Sequence, residues 1–125
     1  MNICVSLEKA KLLKENWWEK YTFMVFGDYS YSSKYELQVN EMEDDWEKWN
    51  DIYAPTAQEL LDEFKKENIR VVIDIWRMNY AKIYNINGRI KFKVHVIDNN
   101  ISNALADLWI WCKENGFITK NWEDE

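Results

Sequence analysis

The chain of 125 residues has few of the residue types on which enzyme and metal sites most often depend. It contains one histidine, two cysteines and three glycines. Three scattered glycines exclude a glycine-rich phosphate-binding loop. Cys4 and Cys112 are too few and too far apart in sequence for a disulfide framework or a zinc site. Neither cysteine has a plausible base nearby in sequence, and the lone His95 is expected to face solvent beside Lys93. We therefore predict that the protein is not an enzyme and needs neither a metal nor a cofactor.

Long apolar runs are also missing. No segment approaches the roughly 18 to 20 apolar residues that a membrane-spanning helix needs. The first residues, MNICVSLEKAK, lack the apolar stretch and the cleavage site of a signal peptide. We expect no membrane association and a cytoplasmic location.

The net charge of −6 conceals an uneven distribution along the chain. Residues 1–68 carry a charge of −7, residues 69–97 carry +5, and residues 98–125 carry −4. Eight tryptophans are also unusual for a chain of this length. Three interpretations of this basic centre are open. It forms ion pairs with the acidic segments of the same chain, it keeps the protein soluble, or it forms a binding face.

Helix start signals occur twice in the first half of the chain. Ser6 precedes the segment LEKAKLLKE and can cap its first turn. Thr56 and Glu59 have the spacing of a capping box, in which each side chain accepts a hydrogen bond from the other's backbone. Apolar residues then recur at helical spacing, which predicts a helix over residues 57–66.

A third helix is predicted over residues 102–115. Ser102 is its expected cap, and Gly116 ends it because glycine adopts a left-handed conformation without steric cost. Ile110 and Trp111 fall outside the main apolar stripe. We expect the N-terminal helix or a second copy of the chain to cover them.

Strand signals fill the intervening segments. The segment YTFMVFGDYSYSSKYELQV predicts two strands with a turn around Gly27 and Asp28. Residues 69–97 predict a three-stranded meander. Its second turn is expected at Asn87 and Gly88, because both tolerate the positive φ of a tight hairpin.

The last predicted strand, RIKFKVHVI, alternates strictly between apolar and basic residues. One face carries Ile90, Phe92, Val94 and Val96. The other carries Arg89, Lys91, Lys93 and His95. Because side chains alternate across a strand, we expect the apolar face to join the core and the basic face to meet solvent.

Together these segments predict one α+β domain over residues 1–125. We expect a mainly antiparallel sheet of four or five strands with two helices packed on one face. The N-terminal helix is expected at the edge of this layer or beside the other two.

Three segments, CVSLEKAKLLKE, YAPTAQELLDEF and ALADLWIWCKENGFI, cover about a third of the chain. Through them the chain resembles a family of small uncharacterised proteins encoded by tailed phages and prophages of gut and related bacteria. The segments mostly form helix caps and packing faces, so the resemblance implies no catalytic residues. The chain departs from the family pattern at Cys112, where an aliphatic residue is usual, and in the acidic stretch from Glu41 to Asp51.

This acidic stretch also contains residue types that are common in protein–protein interfaces. Trp46 and Trp49 are the kind of aromatic anchor favoured in protein interfaces, and Asp44 and Asp45 would attract a basic partner. The alternative is that the rings fill the core and the carboxylates form a solvated loop. We interpret the chain as a phage or prophage accessory protein that binds another protein, such as host defence or replication machinery, as a monomer or homodimer.

Binding of single-stranded nucleic acid is the alternative function. Arg89, Lys91 and Lys93 would form its basic platform, joined by Arg70 and Lys82 on the neighbouring strands. The net charge of −6 disfavours this function because it repels phosphate. The same lysines could instead protect a sheet or meet acidic groups of the same chain.

Overall fold

The computed structural model describes residues 4–16, 18, 22–29, 34–39, 52–75, 80–97 and 100–118. Within these ranges the helices are α1 (Leu7–Glu15), α2 (Ala57–Lys66) and α3 (Ile101–Glu114). The strands are β1 (Met24–Tyr29), β2 (Lys34–Val39), β3 (Ile52–Ala54), β4 (Ile69–Asp74), β5 (Tyr80–Ile86) and β6 (Arg89–Val96). The predicted α+β class is confirmed.

The described strands form two sheets, whereas the sequence predicted one. The first sheet has the order β2-β1-β3 and the second has the order β4-β5-β6. Every strand pairing is antiparallel. The short strand β3 was not predicted, because three residues next to an acidic stretch carry no readable alternation. Strand β3 pairs with β1 and is therefore the third strand of the first sheet.

The starts of α1 and α2 are those that the sequence predicted. Ser6 accepts a hydrogen bond from the backbone N–H of Lys9. Thr56 Oγ1 accepts from the N–H of Glu59 at 3.2 Å, and Glu59 Oε1 accepts from the N–H of Thr56 at 3.0 Å. The other oxygen of Glu59 accepts from the N–H of Phe23, so this capping box also ties α2 to the start of β1.

The predicted cap of α3 was wrong by two residues. Asn100 caps the helix, and its side chain accepts from the N–H of Asn103. Asn100 also donates to the carbonyl of Cys4, so it holds the N-terminal segment against α3. Ser102 is instead a buried residue inside the first turn.

The predicted end of α3 is confirmed. Gly116 has a φ of +77°. The N–H of Gly116 donates to the carbonyl of Lys113, and the N–H of Phe117 donates to that of Cys112. This is the paired hydrogen bonding of a glycine-terminated helix. The Phe117 ring lies 5.4 Å from that of Trp111, so Trp111 is covered from beyond the helix end.

Hairpin positions were predicted with mixed success. Asn87 and Gly88 have φ values of 52° and 83°, which confirms the turn between β5 and β6. Gly27 and Asp28 lie inside β1, paired with β2, so the first turn is not at these residues.

The three helices pack around a shared core. Helix α2 contacts β4, and α3 contacts β5 and β6, so both cover the same face of the β4-β5-β6 sheet. Helix α1 contacts β3 and α3 and links this layer to the first sheet. At the centre, Trp18 meets Trp109 edge to face with ring centres 5.1 Å apart. No helix in the described ranges has the length and apolarity that crossing a bilayer requires.

Candidate functional site

Strand β6 turns its apolar row away from the helices, whereas the sequence predicted that this row joins the core. Ile90 is 74% exposed, Phe92 63% and Val94 51%, and Val72 on β4 is 44% exposed. The expectation that Ile90, Phe92 and Val94 form part of the core was therefore wrong, and the side chain of Val96 lies outside the described part of the chain. Exposed apolar side chains gathered on one face of a sheet make that face a candidate binding surface.

The basic side chains of β6 point towards α3. Lys91 Nζ lies 5.7 Å from the centre of the Phe117 ring, and Lys93 Nζ lies 5.7 Å from that of Trp111. Both distances are within the range of a cation–π contact. Because Trp111 of α3 and Phe117 just beyond the helix lie along β6, the lysine stems can pack on this side while their ammonium groups reach its margin.

His95 continues the same row of contacts with α3. Its Nε2 lies 2.8 Å from Oδ2 of Asp107, and Lys9 Nζ lies 2.7 Å from Oδ1 of the same carboxylate. Asp107 therefore joins α1, α3 and β6. Strand register agrees with this orientation, since His95 is opposite the buried Ala81.

We call the opposite side of the β4-β5-β6 sheet the outer face. Alternation and register place on it Arg70, Val72, Asp74, Tyr80, Lys82, Tyr84, Asn85, Ile90, Phe92 and Val94. Its middle row is Val72, Lys82 and Val94, one residue from each strand. Tyr84 falls where the β5–β6 register is irregular. The outer face thus combines four exposed apolar side chains with Lys82 near its centre and with the charged residues Arg70 and Asp74 on β4.

Of the charged residues on the outer face, Lys82 is the one on the central strand, whereas Arg70 and Asp74 lie on β4. Its Nζ lies 4.6 Å from the centre of the Phe92 ring, so the charge leans over an exposed aromatic side chain. Lys82 forms no ion pair with a carboxylate of any described residue. A cation held on an apolar surface in this way can attract an anionic group that arrives with apolar neighbours.

The predicted basic platform is divided between the two faces of the sheet. Lys91 and Lys93 lie on the helix-covered side, whereas Arg70 and Lys82 lie on the outer face. Arg89 is exposed at the hairpin end of β6. The predicted protein-binding residues Asp44, Asp45, Trp46 and Trp49 lie outside the described residues.

Among the described residues, both cysteines are buried and the side chain of His95 contacts a carboxylate. Burial raises the pKa of Cys112 to about 12, and burial followed by the charge of Glu59 raises the pKa of Cys4. His95 with Asp107 has the geometry of a base and its orienting carboxylate. No hydroxyl or thiol of the described residues forms a hydrogen bond with His95. Within those residues, no group of three or more His, Cys, Asp or Glu could hold a metal ion.

Comparison with known proteins adds no relative. No family model, curated protein or solved structure matches the chain. The phage family therefore stays a prediction from the three segments, and the candidate site depends on the geometry alone. Sequence reasoning missed this site because it assigned the apolar row of β6 to the core. The available signal was the strict alternation of β6, which shows that one row must be exposed without showing which.

Proposed function

We propose that this protein is a non-enzymatic phage or prophage accessory protein that acts in the cytoplasm by binding another protein through its outer face. The observation that supports the proposal is the exposure of Val72, Ile90, Phe92 and Val94 on one side of the sheet. Host defence or replication machinery is the class of partner that the resemblance suggests. The exposed row would also explain why β6 keeps apolar residues at positions that its own fold does not cover.

The size of this surface limits what apolar burial alone contributes to binding. The four exposed side chains offer roughly 450 Å² of apolar area. At about 25 cal/mol per Å², covering them contributes roughly 10 kcal/mol. Association itself costs on the order of 4–15 kcal/mol. The apolar row alone thus supports a weak complex, and a specific partner must add polar contacts.

Affinity capture from an extract of gut bacteria tests the proposal. We expect the wild-type chain to retain a stoichiometric protein, and Phe92→Ser combined with Val94→Ser to lose it. Lys91→Ser is the matched control, because Lys91 is exposed on the other side of the same strand. Trp46→Ala combined with Trp49→Ala tests the acidic stretch separately. Retention by the Phe92 and Val94 variant would contradict the assignment to the outer face.

Single-stranded nucleic acid is the second candidate ligand, and the contact between Lys82 and Phe92 favours it. An exposed ring with an adjacent cation is the chemistry on which unpaired bases stack. Binding of a labelled oligonucleotide should then weaken with added salt and be lost in Lys82→Glu. The original platform predicts loss in Lys91→Glu combined with Lys93→Glu instead. No binding at low salt would eliminate both versions.

A further inference from the structure

We propose that the occupant of the outer face is an amphipathic helix of the partner protein, with an Asp or Glu of that helix meeting Lys82. This inference rests on the proposed function and specifies the shape and charge of the partner's segment.

The dimensions of the outer face fit one helix. Three strands at spacings of about 4.8 Å give a face about 10 Å wide, which is the diameter of a single helix. From Ile90 to Val94 the strand advances about 14 Å, the length of about nine helical residues. Because α2 and α3 already cover the other side, a partner helix would complete a three-layer arrangement of helix, sheet and helix.

The position of Lys82 specifies the charge. It lies on the central strand between Val72 and Val94, and its Nζ leans over Phe92. A helix that covers these apolar neighbours removes water from around the ammonium group. That loss is unfavourable unless the helix supplies a hydrogen-bonding anion. The partner helix therefore needs a carboxylate between its apolar residues.

A second copy of the chain fits this surface less well. A two-fold axis through the centre of the outer face would set Lys82 against Lys82 of the copy, and like charges disfavour such a contact. Nucleic acid is less favoured because Phe92 alone of the four exposed apolar side chains offers a ring for base stacking, and because the chain carries a net charge of −6.

A displayed library of helix-forming peptides tests this proposal without knowledge of the natural partner. Selection on the wild-type chain should enrich helices with apolar residues at i, i+3, i+4 and i+7 and an acidic residue on the same face. Selection on Lys82→Glu should replace that acid by Lys or Arg. A peptide selected on wild type should bind Lys82→Glu about tenfold more weakly. Its affinity for Lys91→Glu, the control on the other face, should change by less than about twofold.

Three outcomes would overturn the inference. Selected helices without an acidic preference, or helices that bind Phe92→Ser as tightly as wild type, would contradict the Lys82 contact. A concentration-dependent dimer abolished by Val94→Lys would identify a second copy as the occupant. Salt-dependent binding of an oligonucleotide that competes with the selected peptides would identify nucleic acid as the occupant.

Failure of this inference can be told apart from failure of the proposed function. If the selected helices show no preference for an acidic residue while affinity capture still depends on Phe92 and Val94, the proposed function stands and only this inference is wrong. Matching thermal unfolding curves for wild type and Lys82→Glu would show that the charge change leaves the fold intact.

Discussion

Truncation of Phe92 and of Ile83 to alanine should separate the two sides of the β4-β5-β6 sheet by free energy. Ile83 is fully buried under the helices, so Ile83→Ala removes transfer free energy and leaves a cavity. Such a substitution costs about 2–5 kcal/mol of unfolding free energy. Phe92 is on the neighbouring strand, but it points away from the helices.

The expected cost of Phe92→Ala follows from its exposure. Since Phe92 is 63% exposed, only about a third of its burial free energy of roughly 1.5–3 kcal/mol is at stake. Losing the contact with the Lys82 ammonium adds about 0.5 kcal/mol at an exposed site. We therefore expect Phe92→Ala to cost about 1–1.5 kcal/mol, clearly less than Ile83→Ala.

Urea unfolding followed by tryptophan fluorescence measures both values, and an unchanged slope shows that the unfolding transition is comparable. Both variants place an alanine in a β-strand. The intrinsic cost of alanine in a strand is therefore common to both and cancels in the difference between their unfolding free energies. If Phe92→Ala costs about 3–5 kcal/mol, as a buried phenylalanine would, then β6 faces the core with its apolar row and the outer face does not exist.

Three further predictions concern the contacts that hold the helices. Asp107→Asn should cost about 1 kcal/mol, because the pair with Lys9 and the pair with His95 are both partly exposed to solvent. Asn100→Ala should cost about 1–2 kcal/mol, because it removes a helix cap and a tie to Cys4, whereas Ser102→Ala should cost less. Cys112 should resist thiol reagents at neutral pH in the folded protein, because burial raises its pKa from 9.0 to about 12. The unfolded chain then loses this proton first, so between pH 9 and 12 the stability of wild type relative to Cys112→Ala should fall by about 1.4 kcal/mol per pH unit.

Each has an outcome that would refute it. The Asp107 contacts are not ionic if high salt leaves the effect of Asp107→Asn unchanged. The cap assignment fails if Ser102→Ala destabilises the protein more than Asn100→Ala. The burial of Cys112 is refuted if its thiol reacts with a labelling reagent as fast as in the urea-unfolded chain.

Local signals predicted the helices and one hairpin well. The capping box of Thr56 and Glu59, the turn at Asn87 and Gly88, and the glycine end of α3 are each decided by a few adjacent residues. The cap of α3 was misplaced because Asn100 and Ser102 are both good caps two residues apart. Only Asn100 also reaches the carbonyl of Cys4, a contact across the whole chain.

The candidate site depends on long-range packing and was not predictable in the same way. An alternating strand can turn either row of side chains to the core, and a shift of one residue reverses the choice. In β6, the row that faces the helices is the one that contacts Asp107 and Trp111 of α3 and Phe117 just beyond the helix. These residues contact the basic row, so the apolar row is left outside. The division of the strands into two sheets likewise depends on pairing between distant segments.

The most direct test of the central claim is photo-crosslinking from two adjacent residues of β6. A photoreactive phenylalanine analogue is placed at position 92 or at position 91, and the protein is irradiated in an extract of gut bacteria. Because neighbouring side chains of a strand point to opposite faces, only position 92 is on the outer face. We predict one defined protein adduct from position 92, mapped to an acidic amphipathic helix, and none from position 91. Equal crosslinking from both positions, or none from position 92, would contradict the claim that the outer face binds a protein partner.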